Sequence, residues 1–132
     1  MNFEQTPEFQ KDLKRLAKKW RSLPKDIEAA QRGLLPLYVE QEDIDIEHLR
    51  ETFFNGKRAT ILQAVDGCEV VKMRLDVASL GTSSKVRLVF VAVIASNTTI
   101  FVELYAKNDK DREDAARIKQ VLRVLRQPEA SL

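Results

Sequence analysis

Three short runs of alternating apolar residues follow one another in the second half of the chain, and they restrict the fold more than any other feature of the sequence. They are predicted as strands at about 69–75, 85–95 and 99–107, with turns between them. A connection of a few residues cannot hold a crossover helix, so neighbouring strands must pair in an antiparallel manner. The sequence therefore predicts an antiparallel meander.

Two helices are predicted before these strands. Thr6, Pro7 and Glu8 provide an N-cap hydroxyl, a proline at the first helical position and an acid in the first turn. Apolar residues then recur every three or four positions, as on one face of a helix. The stretch Ser22-Leu23-Pro24 ends this helix and starts a second one, which Pro36 is expected to end or kink.

A last helix is expected after Asn108-Asp109, whose side chains we predict as its cap. Its buried stripe would contain Ala115, Ile118, Leu122 and Leu125. These elements indicate an α+β fold in which an N-terminal helix pair packs on a twisted antiparallel β-sheet and a C-terminal helix follows. Residues 1–132 are expected to form one domain, with a frayed tail from about residue 127.

The segment at about 40–64 is unusually acidic at its start and appears as an insert between the helix pair and the meander. Ile46, Leu49 and Phe53 fit a short helix, which Asn55-Gly56 would end. A short strand is predicted at about 60–65, and Asp66-Gly67 is a turn signal.

The charge balance limits the classes of partner. Acids and bases nearly cancel, leaving a formal net charge of +2, so an anionic partner would have to meet a local basic patch. The single cysteine, Cys68, excludes an intrachain disulfide and favours a cytoplasmic protein. The apolar run at 88–95 is too short to span a bilayer, so no membrane partner is expected. With one histidine and no nucleotide or zinc motif, no metal or cofactor is expected.

Basic residues are concentrated on one face of the predicted sheet. Lys72 and Arg74 lie two apart on one strand, and Lys85 and Arg87 lie two apart on the next, so each pair shares a face. On the third strand, alternation assigns Phe101, Glu103, Tyr105 and Lys107 to that face, and Ile100, Val102, Leu104 and Ala106 to the other. Such a cluster suits a phosphodiester backbone. An ordinary solvated sheet face also carries Lys and Arg, and the pattern alone favours that explanation.

Three segments in the same order resemble motifs of the RelE/ParE toxin superfamily, in its RelE/HigB-like branch of type II toxin–antitoxin systems. They are KMRL at 72–75, GTSSKVRLVF at 81–90 and LYAKNDKD at 104–111. The resemblance implies the same α+β fold and a partner antitoxin. It also implies a metal-independent endoribonuclease that cleaves mRNA, commonly in the ribosomal A site, through attack of the 2′-hydroxyl on the adjacent phosphate.

The resemblance also implies roles for individual residues. Lys72 would abstract the proton, and Arg74 and Arg87 would stabilise the charge of the transition state. RNA would be held by Lys85, Tyr105, Lys107 and Lys110.

The sequence departs from the family pattern at several positions. Ser84-Lys85-Val86 replaces the usual glycine pair and aromatic residue, and Phe90 stands where a tyrosine is common. Asp114 lies near the position of a base-stacking tyrosine, a role for which Tyr105 is the alternative. Two other functions therefore stay open: a ParE-like inhibitor of DNA gyrase that cuts nothing, and a catalytically silent binding protein with the same fold.

Overall fold

The computed structural model describes residues 1–55, 57–81 and 85–126. Its strands and helices follow along the chain in this order: β1 (Asn2–Gln5), α1 (Pro7–Ala17), α2 (Leu23–Tyr38), α3 (Ile46–Phe54), β2 (Ala59–Val65), β3 (Cys68–Leu75), β4 (Val86–Val93), β5 (Thr98–Ala106) and α4 (Ala115–Arg126). A short 3₁₀ turn occupies Ala78–Leu80. The α+β fold class predicted from the sequence is confirmed. No helix in the described ranges is both long and apolar enough to cross a membrane.

The strands form a single five-stranded sheet in the order β1-β5-β4-β3-β2. Strands β2 to β5 pair antiparallel in sequence order, so the predicted meander is confirmed. Strand β1 lies parallel to β5 at the edge and makes the sheet mixed rather than purely antiparallel. With only four residues, β1 is too short for its apolar period to be recognised in the sequence.

The helix pair starts as the sequence predicts. The Thr6 hydroxyl accepts the backbone N–H of Phe9 at 3.1 Å, and Pro7 is the first helical residue. Phe9, Leu16 and Trp20 are buried against the sheet. The second helix continues through Pro36 to Tyr38, so this proline lies inside the last turn rather than at its end.

The last helix starts later than predicted. The side chain of Asp114 is its cap and accepts the backbone N–H groups of Ala116 at 3.0 Å and Arg117 at 3.3 Å. The predicted cap at Asn108-Asp109 is wrong, because these residues lie in a turn that follows β5. Ile118 and Leu122 are buried as predicted, whereas Ala115 and Leu125 are exposed, because α4 packs on the sheet through a narrow stripe.

Both faces of the sheet are covered, at least in part. One face packs under α1, α2 and α3, and the other packs its valines under α4. A β-bulge places Val89 opposite Glu103 and Phe90 opposite Phe101, with Val102 between them. The bulge overturns the predicted alternation of β5 at one end: Phe101 lies on the helix-pair side, and Val102 lies on the α4 side.

The acidic insert folds into α3 and β2, as predicted, although Gly56, expected to end α3, lies outside the described residues. The predicted tail from about residue 127 also lies outside them. A network around Glu69 of β3 holds α3 in place: the Tyr38 hydroxyl donates to Oε1 of Glu69 at 2.9 Å, and the Arg50 guanidinium donates to Oε2. The same guanidinium lies 5.0 Å from the centroids of the Tyr38 and Phe54 rings. Helix α3 therefore belongs to the packed structure.

Candidate nucleic-acid interface

A cavity of about 360 Å³, which we call the basic cavity, lies on the sheet face that α4 partly covers. It begins where the apolar contact between α4 and the sheet ends. Strands β3, β4 and β5 and the residues flanking β2 and β5 all contribute to its wall. Its cationic side chains are Lys57, Arg58, Lys72, Arg74, Arg87 and Lys107, and Tyr105, Thr60 and Asp111 also line it.

The strand register explains why these side chains converge. Lys72 and Arg74 follow Val70 at intervals of two on β3, and Arg87 precedes Val89 and Val91 at the same interval on β4. Those valines pack under α4. Residues two apart on a strand share a face, so the α4 face is apolar at one end and basic at the other. This division explains why cations and buried valines share one face of the same strands, with the valine before the cations on β3 and after the cation on β4.

Arg74, Arg87 and Tyr105 lie side by side on adjacent strands. Arg74 is the register partner of Arg87, and Arg87 is the partner of Tyr105. Partial burial, and then the positive charge of Arg74, lower the pKa of Arg87, while Tyr105 acts in the opposite direction. A bound anionic group, such as a phosphate, would reduce the repulsion between these two guanidinium groups.

Tyr105 is a wall of the basic cavity and is only 3% exposed. Burial, followed by the nearby carboxylates of Glu113 and Glu103, raises the pKa of its hydroxyl to about 12. The ammonium of Lys110 lies 5.2 Å from the centroid of the ring. Little ring surface is therefore left to stack on a base, although the hydroxyl end contributes to the cavity.

A carboxylate also reaches this site. Nζ of Lys72 donates to Oε1 of Glu113 at 2.9 Å, and both side chains are mostly buried, at 29% and 22% exposed. Burial alone would raise the pKa of Glu113, but the hydrogen bonds from Lys72 and from the backbone, with the charges of Lys72 and Arg112, outweigh burial and lower it. Glu113 is therefore ionised at neutral pH.

The structure brings together most of the residues that the sequence singled out. Lys72, Arg74, Arg87, Tyr105 and Lys107 all line the basic cavity. The other two lie beside it. Lys85 is exposed just before β4, and its carbonyl accepts the backbone N–H of Lys107 at 2.7 Å.

Lys110 forms an ion pair with Glu103, a carboxylate only 2% exposed that also accepts the backbone N–H of Asp114 at 2.7 Å. This pair ties the turn after β5 to the sheet and keeps the Lys110 ammonium next to the Tyr105 ring. Lys110 is thus placed to fix the cavity wall, which was not part of its predicted role.

Sequence reasoning missed four residues of this region. Lys57 and Arg58 flank the start of β2, and Asp111 and Glu113 belong to the segment between β5 and α4. Two adjacent cations before an alternating run were a signal for Lys57 and Arg58. Only the pairing of β2 with β3 shows that they lie in the wall of the same cavity as Lys72. The acids carried no signal, because they lie in an irregular segment without periodicity.

The described geometry defines an α+β protein with a basic, concave site on an otherwise apolar sheet face. Comparisons with protein-family models, curated proteins and solved structures found no match. Among the described residues, no group of three or more His, Cys, Asp or Glu side chains is arranged to hold a metal ion. The residues of the basic cavity are instead suited to bind an anion with several charges.

Proposed function

We propose that this protein is the toxin of a type II toxin–antitoxin system and acts in the cytoplasm as an endoribonuclease on mRNA, commonly on the ribosome. The observation that carries the proposal is the convergence of Lys72, Arg74, Arg87 and Lys107 in one cavity. These are the positions at which the sequence resembles the RelE/HigB-like branch. A solvated sheet face would spread its cations over the surface, whereas here β3, β4 and the residue after β5 direct them into one concavity.

The proposed reaction is attack of a ribose 2′-oxygen on the neighbouring phosphorus, which leaves a 2′,3′-cyclic phosphate and a free 5′-hydroxyl. The phosphorane-like transition state carries more negative charge on its oxygens than the ground state does. Arg74 and Arg87 are side by side and would bind these oxygens. A preorganised donor of this kind is typically worth about 3 kcal/mol, or on the order of a hundredfold in rate.

The remaining cations would hold the chain on either side of the cleaved bond. Lys57 and Lys107 lie on the walls of the basic cavity, and Lys85 lies next to Lys107 at its rim. The guanidinium of Arg58 instead donates to Asp76 at 2.9 and 2.7 Å. Each contact to a phosphate releases counterions, so binding should weaken as salt rises. In this proposal the chemistry requires no metal or cofactor.

The role of Lys72 depends on whether its side chain is a neutral amine or a charged ammonium group. The resemblance assigns it the part of general base, which requires a neutral amine. In the structure its ammonium is hydrogen-bonded to a carboxylate at 2.9 Å, and an adjacent opposite charge favours the charged form of a lysine. Lys72 is thus well placed to bind a phosphate oxygen, since a ligand phosphate can share the ammonium with Glu113.

The proposed partner is a cognate antitoxin that blocks this site. Carboxylates on the antitoxin could enter the basic cavity, as Glu113 and Asp111 already approach it from within the chain. Complementary charge would also accelerate the association of the two proteins. A purified complex in which Arg74 and Arg87 stay accessible would contradict this mode of inhibition.

The test is induced expression without an antitoxin, followed by mapping of mRNA ends. We expect growth arrest and new 5′ ends within translated mRNAs. Arrest with intact transcripts and inhibited DNA supercoiling would favour the gyrase inhibitor. Absence of arrest, together with binding of RNA but no cleavage by the purified protein, would favour the silent binding protein.

A further inference from the structure

We propose that Glu113 is the general base of the cleavage reaction, with Lys72 acting as a fixed cation beside it. This inference rests on the proposed endoribonuclease function and names a residue that the family resemblance does not provide. It assigns the proton transfer to a carboxylate of the segment between β5 and α4. The assignment follows from the contacts of the two side chains.

The first argument is the ion pair itself. Lys72 lines the basic cavity, and its Nζ lies 2.9 Å from Oε1 of Glu113. A proton acceptor must be unprotonated before the reaction begins, and in this pair the unprotonated member at neutral pH is the carboxylate. Lys72 would have to lose its proton while hydrogen-bonded to an anion, which the pairing opposes.

The second argument is the position of Glu113 relative to the rest of the site. Its charge acts on the hydroxyl of Tyr105, which is the register partner of Arg87 on the neighbouring strand. Glu113 is thus hydrogen-bonded to one wall residue of the basic cavity, at the edge that Lys72 forms. A phosphate bound by Arg74 and Arg87 would bring the preceding ribose to this edge.

The third argument is that Glu113 is held in place. The next residue, Asp114, caps α4 and donates its own backbone N–H to the buried carboxylate of Glu103 at 2.7 Å. Lys110, on the same segment, pairs with the other oxygen of Glu103. The segment that carries Glu113 is therefore anchored to β5 on both sides, and a positioned base is the kind that accelerates proton transfer.

The proton and electron balance of the step is simple. The 2′-hydroxyl proton passes to an oxygen of Glu113 while the 2′-oxygen forms a bond to phosphorus. The bond from phosphorus to the 5′-oxygen breaks, and the departing oxygen takes a proton from water. Glu113 then returns its proton to solvent, and Lys72, Arg74 and Arg87 stay charged throughout.

The pH dependence of the reaction would report this base. The charged and titratable groups that face Glu113 are Lys72 from β3, Tyr105 from β5 and Arg112 from its own segment. Burial and the nearby carboxylates keep the Tyr105 hydroxyl protonated between pH 4 and 8. Asp111 also lines the cavity, so a fall in the cleavage rate at low pH is assigned to Glu113 only where Glu113→Gln removes it.

The experiment compares wild type with Glu113→Gln, Lys72→Arg and Lys72→Ala. It measures single-turnover cleavage of a labelled mRNA, both free and on ribosomes with an empty A site, from about pH 4 to 8. RNA binding and thermal unfolding are measured in parallel. Asp109→Asn is the matched control, because Asp109 is an exposed acid on the same segment that does not line the cavity.

Glu113→Gln should lower the single-turnover cleavage rate by about a hundredfold or more, while RNA binding stays as strong as in wild type. The fall of the rate at low pH should be absent in this variant. Arginine cannot lose its proton in a protein, so Lys72→Arg should stay within about tenfold of wild type if Lys72 is only a cation. Cleavage by Glu113→Gln at close to the wild-type rate, or Lys72→Arg as inactive as Lys72→Ala, would overturn the assignment and leave the nuclease function intact. Wild-type protein that binds RNA but never cuts it would overturn both.

Discussion

Arg74 and Arg87 lie directly opposite each other on β3 and β4, so two guanidinium groups share one cross-strand position. Like charges in this arrangement are usually unfavourable for the stability of a sheet. The charge of Arg74 contributes to the lowered pKa of Arg87, after the larger contribution of burial. Two adjacent cations on the wall of one cavity are better suited to bind an anionic ligand than to stabilise the sheet.

The first prediction concerns Arg74, which is exposed. Arg74→Gln should leave the melting temperature unchanged or slightly raised, because it removes the repulsion with Arg87. The same substitution should slow RNA cleavage on the order of a hundredfold, since one transition-state donor is lost. Both effects can be measured on one preparation, by thermal unfolding and by single-turnover cleavage.

Lys14→Gln is the control for this experiment. Lys14 is exposed on α1, which packs on the opposite face of the sheet, and it does not line the basic cavity. Lys14→Gln should change neither the melting temperature nor the rate of RNA cleavage. A marked fall in melting temperature for Arg74→Gln would mean that the guanidinium stabilises the fold, and the view of the pair as a ligand site would be wrong.

The second prediction separates binding from chemistry. Lys107 is exposed on the wall of the basic cavity, next to Lys85. Lys107→Ala should weaken RNA binding at low salt and reduce the slope of log affinity against log salt by roughly one unit. At saturating protein, the cleavage rate should be close to wild type. RNA binding is measured at several salt concentrations. If the slope for Lys107→Ala equals that of wild type, Lys107 does not contact the RNA backbone.

The sequence was sufficient to predict the meander and the positions of Lys72, Arg74, Arg87 and Lys107 on it. Strand periodicity and short turns determine which residues share a face, and β3 and β4 follow the ideal period. The alternation failed on β5, because a bulge at Val102 reverses the facing of the residues before it, and no residue type marks that bulge.

The acids of the site could not be predicted for a different reason. Glu113 approaches Lys72 across 41 positions of the chain, and its segment has neither helical nor strand period. The parallel strand β1 and the exact start of α4 also depend on tertiary contacts: β1 pairs with β5, and Asp114 binds Glu103. Local patterns do not contain this information.

The third prediction concerns the ion pair that attaches α4 to the rest of the protein. Asp12 of α1 is 5% exposed and accepts the backbone N–H of Leu104 at 3.1 Å and two hydrogen bonds from Arg117 of α4, at 2.6 and 3.2 Å. Arg117→Met should leave this carboxylate poorly compensated, because among the described residues it would keep the Leu104 N–H and, as a cation, the exposed Arg15 at 3.8 Å. Loss of one partner of a buried pair typically costs about 3–5 kcal/mol.

Urea unfolding should reveal this loss as a lower midpoint. Arg123→Met is the matched control, because Arg123 is an exposed residue of the same helix and donates only a long hydrogen bond of 3.5 Å to Gln120 within the described part of the chain. The double variant Asp12→Asn, Arg117→Met should recover part of the stability, since it removes the uncompensated charge. Equal midpoints for the Arg117 and Arg123 variants would show that the pair does not hold α4.

The last prediction follows from the lowered pKa of Glu113, whose ordinary value is 4.5. An acid with a depressed pKa in the folded state adds stability that is present above the unfolded value and is lost as the pH falls through the folded value. The free energy of unfolding of wild type should therefore exceed that of Glu113→Gln at pH 7, and the difference should shrink below about pH 4.5. Urea unfolding of both proteins between pH 7 and about pH 3 measures this difference, and other carboxylates cancel because they titrate in both. In a Lys72→Met background the pH dependence of the difference should be lost or reversed, because burial, which raises the pKa of Glu113, is then opposed only by the backbone hydrogen bond and the charge of Arg112. A difference that stays constant over the whole range would show that Glu113 is not held by Lys72, and the ion pair on which the base assignment depends would be absent in solution.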